Sequence, residues 1–302
     1  MLPDTVFLDV GDGRDGDPWR LFVHVPPGPA PANGWPLLLI TDGNAMIATA
    51  VDTVRVQGAY PNATNVEPGV VVAIGYPTGE AYDPLRRSRD LSPPPGRSYP
   101  PFTEGGPEVR TGGADRFLRF VETEAMAAVA TLAPIDPARR TLFGHSFGGL
   151  FTLYALFSGT ATFTHFVAAS PTIYWEDGIL EEAAARFLAS PRPFGNRVVH
   201  LSAGQYEGDV LAPFQYERED TEKRRLAARA ARTLSLTEAM AARLRHLPDL
   251  RVVLEIYPGE THMTMLPIAV SRAVRIAFEA RRPACGGTFT ASSNARGTAS
   301  TV

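Results

Sequence analysis

Residues 141–153, TLFGHSFGGLFTL, box a single serine between glycines at the end of an apolar run. Gly144, His145, Ser146, Phe147 and Gly148 satisfy the pattern G-x-S-x-G. The pattern has a steric basis. A serine on a tight strand-to-helix turn exposes its hydroxyl only if the positions two before and two after carry little bulk. RRTLF precedes the turn with strand character, and GLFTLYALFS follows it as a run apolar nearly all round. The spacing therefore predicts strand, sharp turn and buried helix, with Ser146 as a nucleophile. The rival reading has these glycines serving only the close packing of helix on strand.

A serine hydroxyl attacks poorly unless a base takes its proton. In chain order the base belongs after the serine, on a loop beyond the last core strand. The segment RVVLEIYPGETHMTMLPIAV supplies His262 there, after a strand ending at Tyr257 and before the final helix. The other five histidines read as structural. His24 and His200 lie inside strand patterns, His165 opens a strand and His246 ends a helix. His145 adjoins the serine, but its side chain is expected to leave the turn in another direction.

An acid that orients the imidazole belongs on the loop after the intervening strand. RVVHLSAGQYEGD offers Glu207 and Asp209. Glu207 stands nearer the strand end and is preferred, and a serine–histidine pair without a third member stays open. A tetrahedral intermediate also needs two backbone N–H donors. One is expected from Phe147. The other is assigned to Gly43 or Asn44, on the turn after the apolar strand PLLLIT.

These residues need a scaffold. Eight short runs have strand character: TVFLDV, WRLFVHV, PLLLIT, GVVVAIGY, RRTLF, HFVAAS, RVVHLSA and RVVLEIY. The later ones are nearly continuous in apolar residues, as in strands covered on both faces. Helical segments alternate with them, among them ADRFLRFVETEAMAAVATLA, one long alanine-rich charged segment over 220–247, and LPIAVSRAVRIAFEAR. The alternation argues a mostly parallel sheet with helices on both faces. Residues 88–113 are rich in proline and glycine, which excludes a long regular element and suits a functional loop.

Bulk properties limit the partners. A net charge of −3 gives no electrostatic reason for nucleic acid, and no basic run suits a membrane surface. No apolar stretch approaches the ~18 residues of a membrane helix, and the N-terminus lacks the basic start and apolar core of a secretory signal. The lone Cys285 excludes an internal disulfide framework and reads as an incidental thiol. A cytoplasmic location is expected, with monomer and homodimer both open. GDGRDG, at Gly11–Gly16, matches a dinucleotide pattern. Pro18 and a strand follow it instead of a helix, so it reads as an acidic hairpin loop.

Taken together, the motifs resemble the esterase family of the α/β-hydrolase superfamily, and within it the siderophore esterases that open ferric trilactones. LLLITDGNAM, RRSRDLSPP, GGADRFLRFVETE, RRTLFGHSFGGLFTLYAL, ASPTIYW and PGETHMTML carry the likeness, in family order across about 37–267. DGNA, the spacing Arg87-x-x-Asp90-x-x-Pro93 and ASPTIYW are more telling than the serine turn alone. The resemblance implies an α/β-hydrolase fold over 1–283, with a central mostly parallel sheet of about eight strands, the Pro-rich loop near the site and a polar tail over 284–302. It implies Ser146 as nucleophile and His262 as base, and it leaves the acid open. It suggests that Arg87 recognises substrate and that Tyr174 and Trp175 line the pocket. The plainer readings are that Arg87 pairs with Asp90 and that the aromatics are core. The implied partner is a small-molecule ester, with any iron carried by the substrate, and no metal or organic cofactor. The rivals are a general carboxylesterase or acyl hydrolase of secondary metabolism and a non-catalytic binding member of the fold. The pairing of Ser146 with His262 argues against the last.

Overall fold

The structure, a computed structural model, describes residues 2–11, 18–189 and 197–280. Cys285, the 284–302 tail and most of the Gly11–Gly16 stretch lie outside the described residues.

The eight strand-like runs form one eight-stranded sheet. They are β1 (Thr5–Val10), β2 (Trp19–His24), β3 (Trp35–Ile40), β4 (Val70–Gly75), β7 (Ile135–His145), β8 (His165–Ala169), β9 (Arg197–Gly204) and β10 (Leu250–Tyr257). Their order is β1-β2-β4-β3-β7-β8-β9-β10. β1 and β2 are antiparallel, β2 runs antiparallel to β4, and the strands from β4 to β10 are parallel to one another. The connecting helices are α1 (Gly43–Gly58), α2 (Pro61–Thr64), α3 (Pro84–Asp90), α4 (Ala114–Phe120), α5 (Met126–Ala130), α6 (Phe147–Ser158), α7 (Trp175–Leu188), α8 (Thr221–Ala231), α9 (Thr233–Leu244) and α10 (Leu266–Ala277).

β3 shows why the central strands are apolar throughout. Leu37 and Leu39 face a core that includes Phe117, Phe151, Leu180 and Met240. Leu38 and Ile40 face the opposite core, with Met46, Val51, Ala269 and Val274. Side chains alternate across a strand, so both faces must be apolar when both are covered.

Two segments differ from expectation. The charged stretch over 220–247 is two helices, broken where Arg232 adopts a left-handed conformation, φ 47°. α9 buries Thr237, Met240, Ala241 and Leu244, whereas α8 buries nothing. Tertiary packing claims only the second half of the pattern. The Pro-rich region begins inside α3 and contains a short hairpin, β5 (Ser98–Tyr99) with β6 (Val109–Arg110). Among the described residues, no helix is long and apolar enough to cross a membrane.

Register places the carboxyl ends of the strands side by side. His145 pairs with Ala169, Ala169 with Ser202, and Gly204 with Tyr257. The loops that follow β7, β8, β9 and β10 therefore meet at one edge of the sheet, where ligands bind in open α/β folds.

Candidate active site

Ser146 sits between β7 and α6 with φ 59° and ψ −115°. That conformation is costly for any residue with a Cβ, and it persists only because the surroundings fix it. The Ser146 amide donates to Ala169 O at 3.0 Å, and its carbonyl accepts from Leu150 N at 2.9 Å and Thr172 N at 3.2 Å. A Cβ on Gly144 would run into the Gly148 backbone, and one on Gly148 into the Thr41 side chain. One on Gly149 would lie 2.9 Å from Ala169 O. The glycines are thus required by close approach, and Gly148 lets the β3–α1 loop abut the serine turn.

That loop opens α1 with Asp42 at φ 53° and ψ 46°. A Cβ on Gly43 would lie 2.6 Å from Ala73 C, so only glycine fits against β4. The Ala45 amide bonds Asp42 O. Gly43 and Asn44 are the first residues of α1, and Phe147 is the first of α6, so none of their amides has an intrahelical acceptor. β3 and β7 are neighbours, with Ile40 beside Phe143, which brings the electropositive starts of the two helices together. The Asn44 side chain is engaged elsewhere. It accepts from Tyr76 N at 2.8 Å and donates to Tyr76 O and Thr78 O, both at 3.0 Å.

Of the two candidate acids, Glu207 holds His262. Glu207 is buried, and its Oε2 lies 2.6 Å from His262 Nδ1. Its Oε1 accepts from Gly204 N at 2.7 Å and from Ser170 Oγ at 2.5 Å. Asp209 is exposed. With Nδ1–H donated to Glu207, the His262 Nε2 lone pair is free to take a proton, and its ring is 40% exposed at the cavity. The Ser146 hydroxyl stands 3.3 Å from Thr172 Oγ1. Among the described residues, no hydrogen bond joins it to His262 in this structure. Catalytic hydrogen bonds in free enzymes are often long and tighten only around substrate.

His145 Nε2 lies 2.8 Å from the His262 carbonyl oxygen, and the two rings are 4.6 Å apart. Burial, and next the neighbouring His262, push the His145 pKa down to about 3. The neutral ring therefore donates Nε2–H to that carbonyl.

Ser146, Thr172, Tyr174, Glu207 and His262 line one cavity of about 560 Å³. α8 also lines it, through Arg224, Ala227, Ala228 and Ala231. Trp175 does not line it. That ring packs edge-on to Phe147, 4.7 Å between centroids. Arg87 does not line it either, and its partner is not Asp90. Nε and Nη2 of Arg87 bond the two carboxylate oxygens of Asp42, each at 2.9 Å. Asp90 instead accepts from Trp19 Nε1 and Arg89 Nε. Residues 88–113 contribute nothing to the lining. Tyr99 and Thr111 reach Glu176, beside Trp175.

Sequence reasoning missed His145, Ser170 and Thr172. Ser170 and Thr172 lie within the quoted ASPTIYW, so their place after a strand end was a usable signal. For His145 there was none, because its role depends on where the last loop returns.

The geometry can be set beside known proteins. The chain is 30% identical over 284 residues to a ferri-bacillibactin esterase of Bacillus subtilis, covering 93% of this chain and 92% of that protein. It is 32% identical over 249 residues to a siderophore triacetylfusarinine C esterase of Aspergillus fumigatus, covering 81% and 82%. The solved siderophore hydrolase EstA of Aspergillus nidulans superposes with a TM-score of 0.76 at 31% identity, over 90% of this chain and 93% of that one. The fold is that of the α/β-hydrolases. Residues 15–243 match the family described as Putative esterase, and the chain belongs to that family.

Proposed function

We propose that this chain is a serine esterase that cleaves the ester bonds of a siderophore through an acyl-enzyme. Ser146 Oγ attacks the ester carbonyl as His262 Nε2 takes its proton. The amides of Phe147 and of Gly43 or Asn44 hold the oxyanion. His262 then protonates the leaving alkoxide, and the acyl group stays on Ser146. Next His262 deprotonates a water that attacks the acyl carbonyl, and Ser146 regains its proton as the acid departs. Glu207 accepts the Nδ1–H of His262 and stabilises the imidazolium. Before attack, the Ser146 hydroxyl exchanges its Thr172 partner for His262. Tyr174 contacts the substrate from the cavity wall. Arg87 has a different task, since its ion pair holds the Asp42–Asn44 turn in place.

The observation that carries this reading is the 2.6 Å bond from His262 to buried Glu207 in the cavity that Ser146 enters. The siderophore substrate rests on relatives at 30–32% identity over most of both chains. The test has two parts. A fluorophosphonate probe should label the wild-type protein and not Ser146→Ala. A mass-spectrometric screen of ferric and iron-free siderophores should then show ester cleavage that Ser146→Ala lacks. Labelling with no cleaved siderophore favours a general carboxylesterase, and no labelling ends the serine mechanism.

A further inference from the structure

The proline- and glycine-rich segment stays clear of the cavity, yet it docks beside the residues assigned to the oxyanion. Its hairpin pairs Tyr99 on β5 with Val109 on β6, and Val109 is buried. Two hydroxyls fasten the segment to the start of α7. Thr111 Oγ1 lies 2.8 Å from Glu176 Oε1, and Tyr99 Oη lies 3.2 Å from the same oxygen. Glu176 and Asp177 both adopt left-handed conformations, φ 47° and 59°. Residues with a Cβ disfavour that region, so neighbouring contacts must hold the segment there. Glu176 directly follows Trp175, so the anchor of the hairpin is one residue from that ring.

From Tyr99 the contacts run in series. Tyr99 packs on Trp175 with 5.5 Å between ring centroids, and Trp175 meets Phe147 edge-on at 4.7 Å. The Arg87 guanidinium stands over the Phe147 ring, 5.4 Å from its centroid. Ring–ring and ring–cation contacts are directional, so each member limits the orientation of the next. Arg87 also grips both carboxylate oxygens of Asp42. Asp42 precedes Gly43 and Asn44, and Phe147 opens α6. One guanidinium therefore joins the two turns that carry the amides, and the hairpin reaches that junction through two rings. Trp175 is tied to the serine turn by backbone as well. Its N–H bonds Thr172 O, and Thr172 N–H bonds Ser146 O, each at 3.2 Å.

Resting on the serine-esterase reading above, we infer that Trp175, and Tyr99 acting through it, are positioning residues for the oxyanion: the hairpin of the Pro-rich segment is a strut that fixes the Phe147 amide relative to those of Gly43 and Asn44. Neither ring lines the cavity, so the effect falls on the chemical step and not on substrate affinity. A displaced donor stabilises the developing negative charge less, while the uncharged ester carbonyl of the ground state loses little.

The test measures kcat and KM of the purified full chain on a p-nitrophenyl ester, with thermal melts to confirm folding. Wild-type turnover that Ser146→Ala lacks establishes the underlying reaction, and its absence ends the serine reading and this inference together. Given that turnover, Trp175→Ala should lower kcat by about ten- to a hundredfold, short of the loss of a whole oxyanion donor, and leave KM within about twofold. Trp175→Phe, which keeps an aromatic ring, should recover most of the loss. Tyr99→Ala should lower kcat by about threefold or more on its own and by less than about twofold in the Trp175→Ala background, because it acts through that ring. Full kcat in both single variants overturns the inference and leaves the serine reading standing. So does a change confined to KM, which would make Trp175 a substrate contact, or losses that multiply in the double variant. Where Trp175→Ala does not fold, Tyr99→Ala decides: a lower kcat at unchanged KM supports the strut, and full activity overturns it.

Discussion

His145 donates from Nε2 to the carbonyl oxygen of His262, 2.8 Å away, so the residue before the serine braces the loop that carries the imidazole. Two histidines thus divide the labour. One is exposed at the cavity and bonded to a carboxylate. The other is buried, neutral and bonded to the backbone of the first.

Replacing the brace tests that division. His145→Leu keeps the bulk and removes the donor. We expect kcat on a p-nitrophenyl ester to fall about tenfold or more through misplacement of His262, with KM little changed. His145→Gln, which keeps an N–H donor, should recover part of the loss. Equal activity in all three proteins would reduce His145 to core packing.

The same residue makes stability depend on pH. Its folded pKa, about 3, lies below the ordinary histidine value of about 6.5. Above about pH 6.5 both states leave the ring neutral, and it contributes no pH dependence. Between about 6.5 and 3 the unfolded chain binds one more proton, so stability falls as pH falls, by about 1.4 kcal/mol per pH unit at most. His165, held down to about 4 chiefly by burial, adds to the slope over the upper part of that window. Urea unfolding between about pH 6.5 and 5 should show the decline, above the range where free carboxylates titrate. His145→Gln should remove one proton from it. A wild-type protein equally stable across that interval would contradict the buried neutral assignment.

Glu207→Gln keeps the shape and removes the negative charge that Nδ1–H of His262 meets. Loss of the correct tautomer and of imidazolium stabilisation should lower kcat by about 10²–10⁴. Asp209→Asn should change it by less than about twofold, since Asp209 is exposed. Steady-state kinetics on one ester substrate decide between them, and the reverse ranking would transfer the acid's role to Asp209.

Gly148→Ala drives a methyl group into the Thr41 side chain, where the β3–α1 loop meets the serine turn. The clash should cost about 1–3 kcal/mol of stability and displace the amides of Phe147, Gly43 and Asn44, the oxyanion donors proposed above. Chemical denaturation and kcat are the measurements, and both should fall together. A stable, fully active variant would show that the two loops are not held in contact.

Arg87→Met leaves the Asp42 carboxylate buried and alone, its side chain 1% exposed. Breaking one member of such a pair costs about 3–5 kcal/mol. Adding Asp42→Asn should return part of that stability by removing the stranded charge. A substrate-binding role for Arg87 predicts a raised KM with stability intact, so thermal melts and KM together separate the two.

The amino-acid sequence by itself determined the strands and the serine turn and singled out His262. Those signals are local or ordinal. A doubly covered strand needs an apolar run, a sharp turn needs small neighbours, and the candidate base was sought after the serine along the chain. All eight strand runs and the strand–turn–helix around Ser146 could therefore be read from spacing alone. Tertiary structure decided what depends on distance between segments. It brought Glu207, and not Asp209, to His262 through the return of the β10 loop, and it gave Arg87 to Asp42, 45 positions away, where spacing suggested Asp90. It broke the 220–247 helix at Arg232, because only α9 finds apolar surface to bury. Hydrogen bonds and ion pairs act over a few ångströms, and a linear pattern carries no record of which loops end within that range.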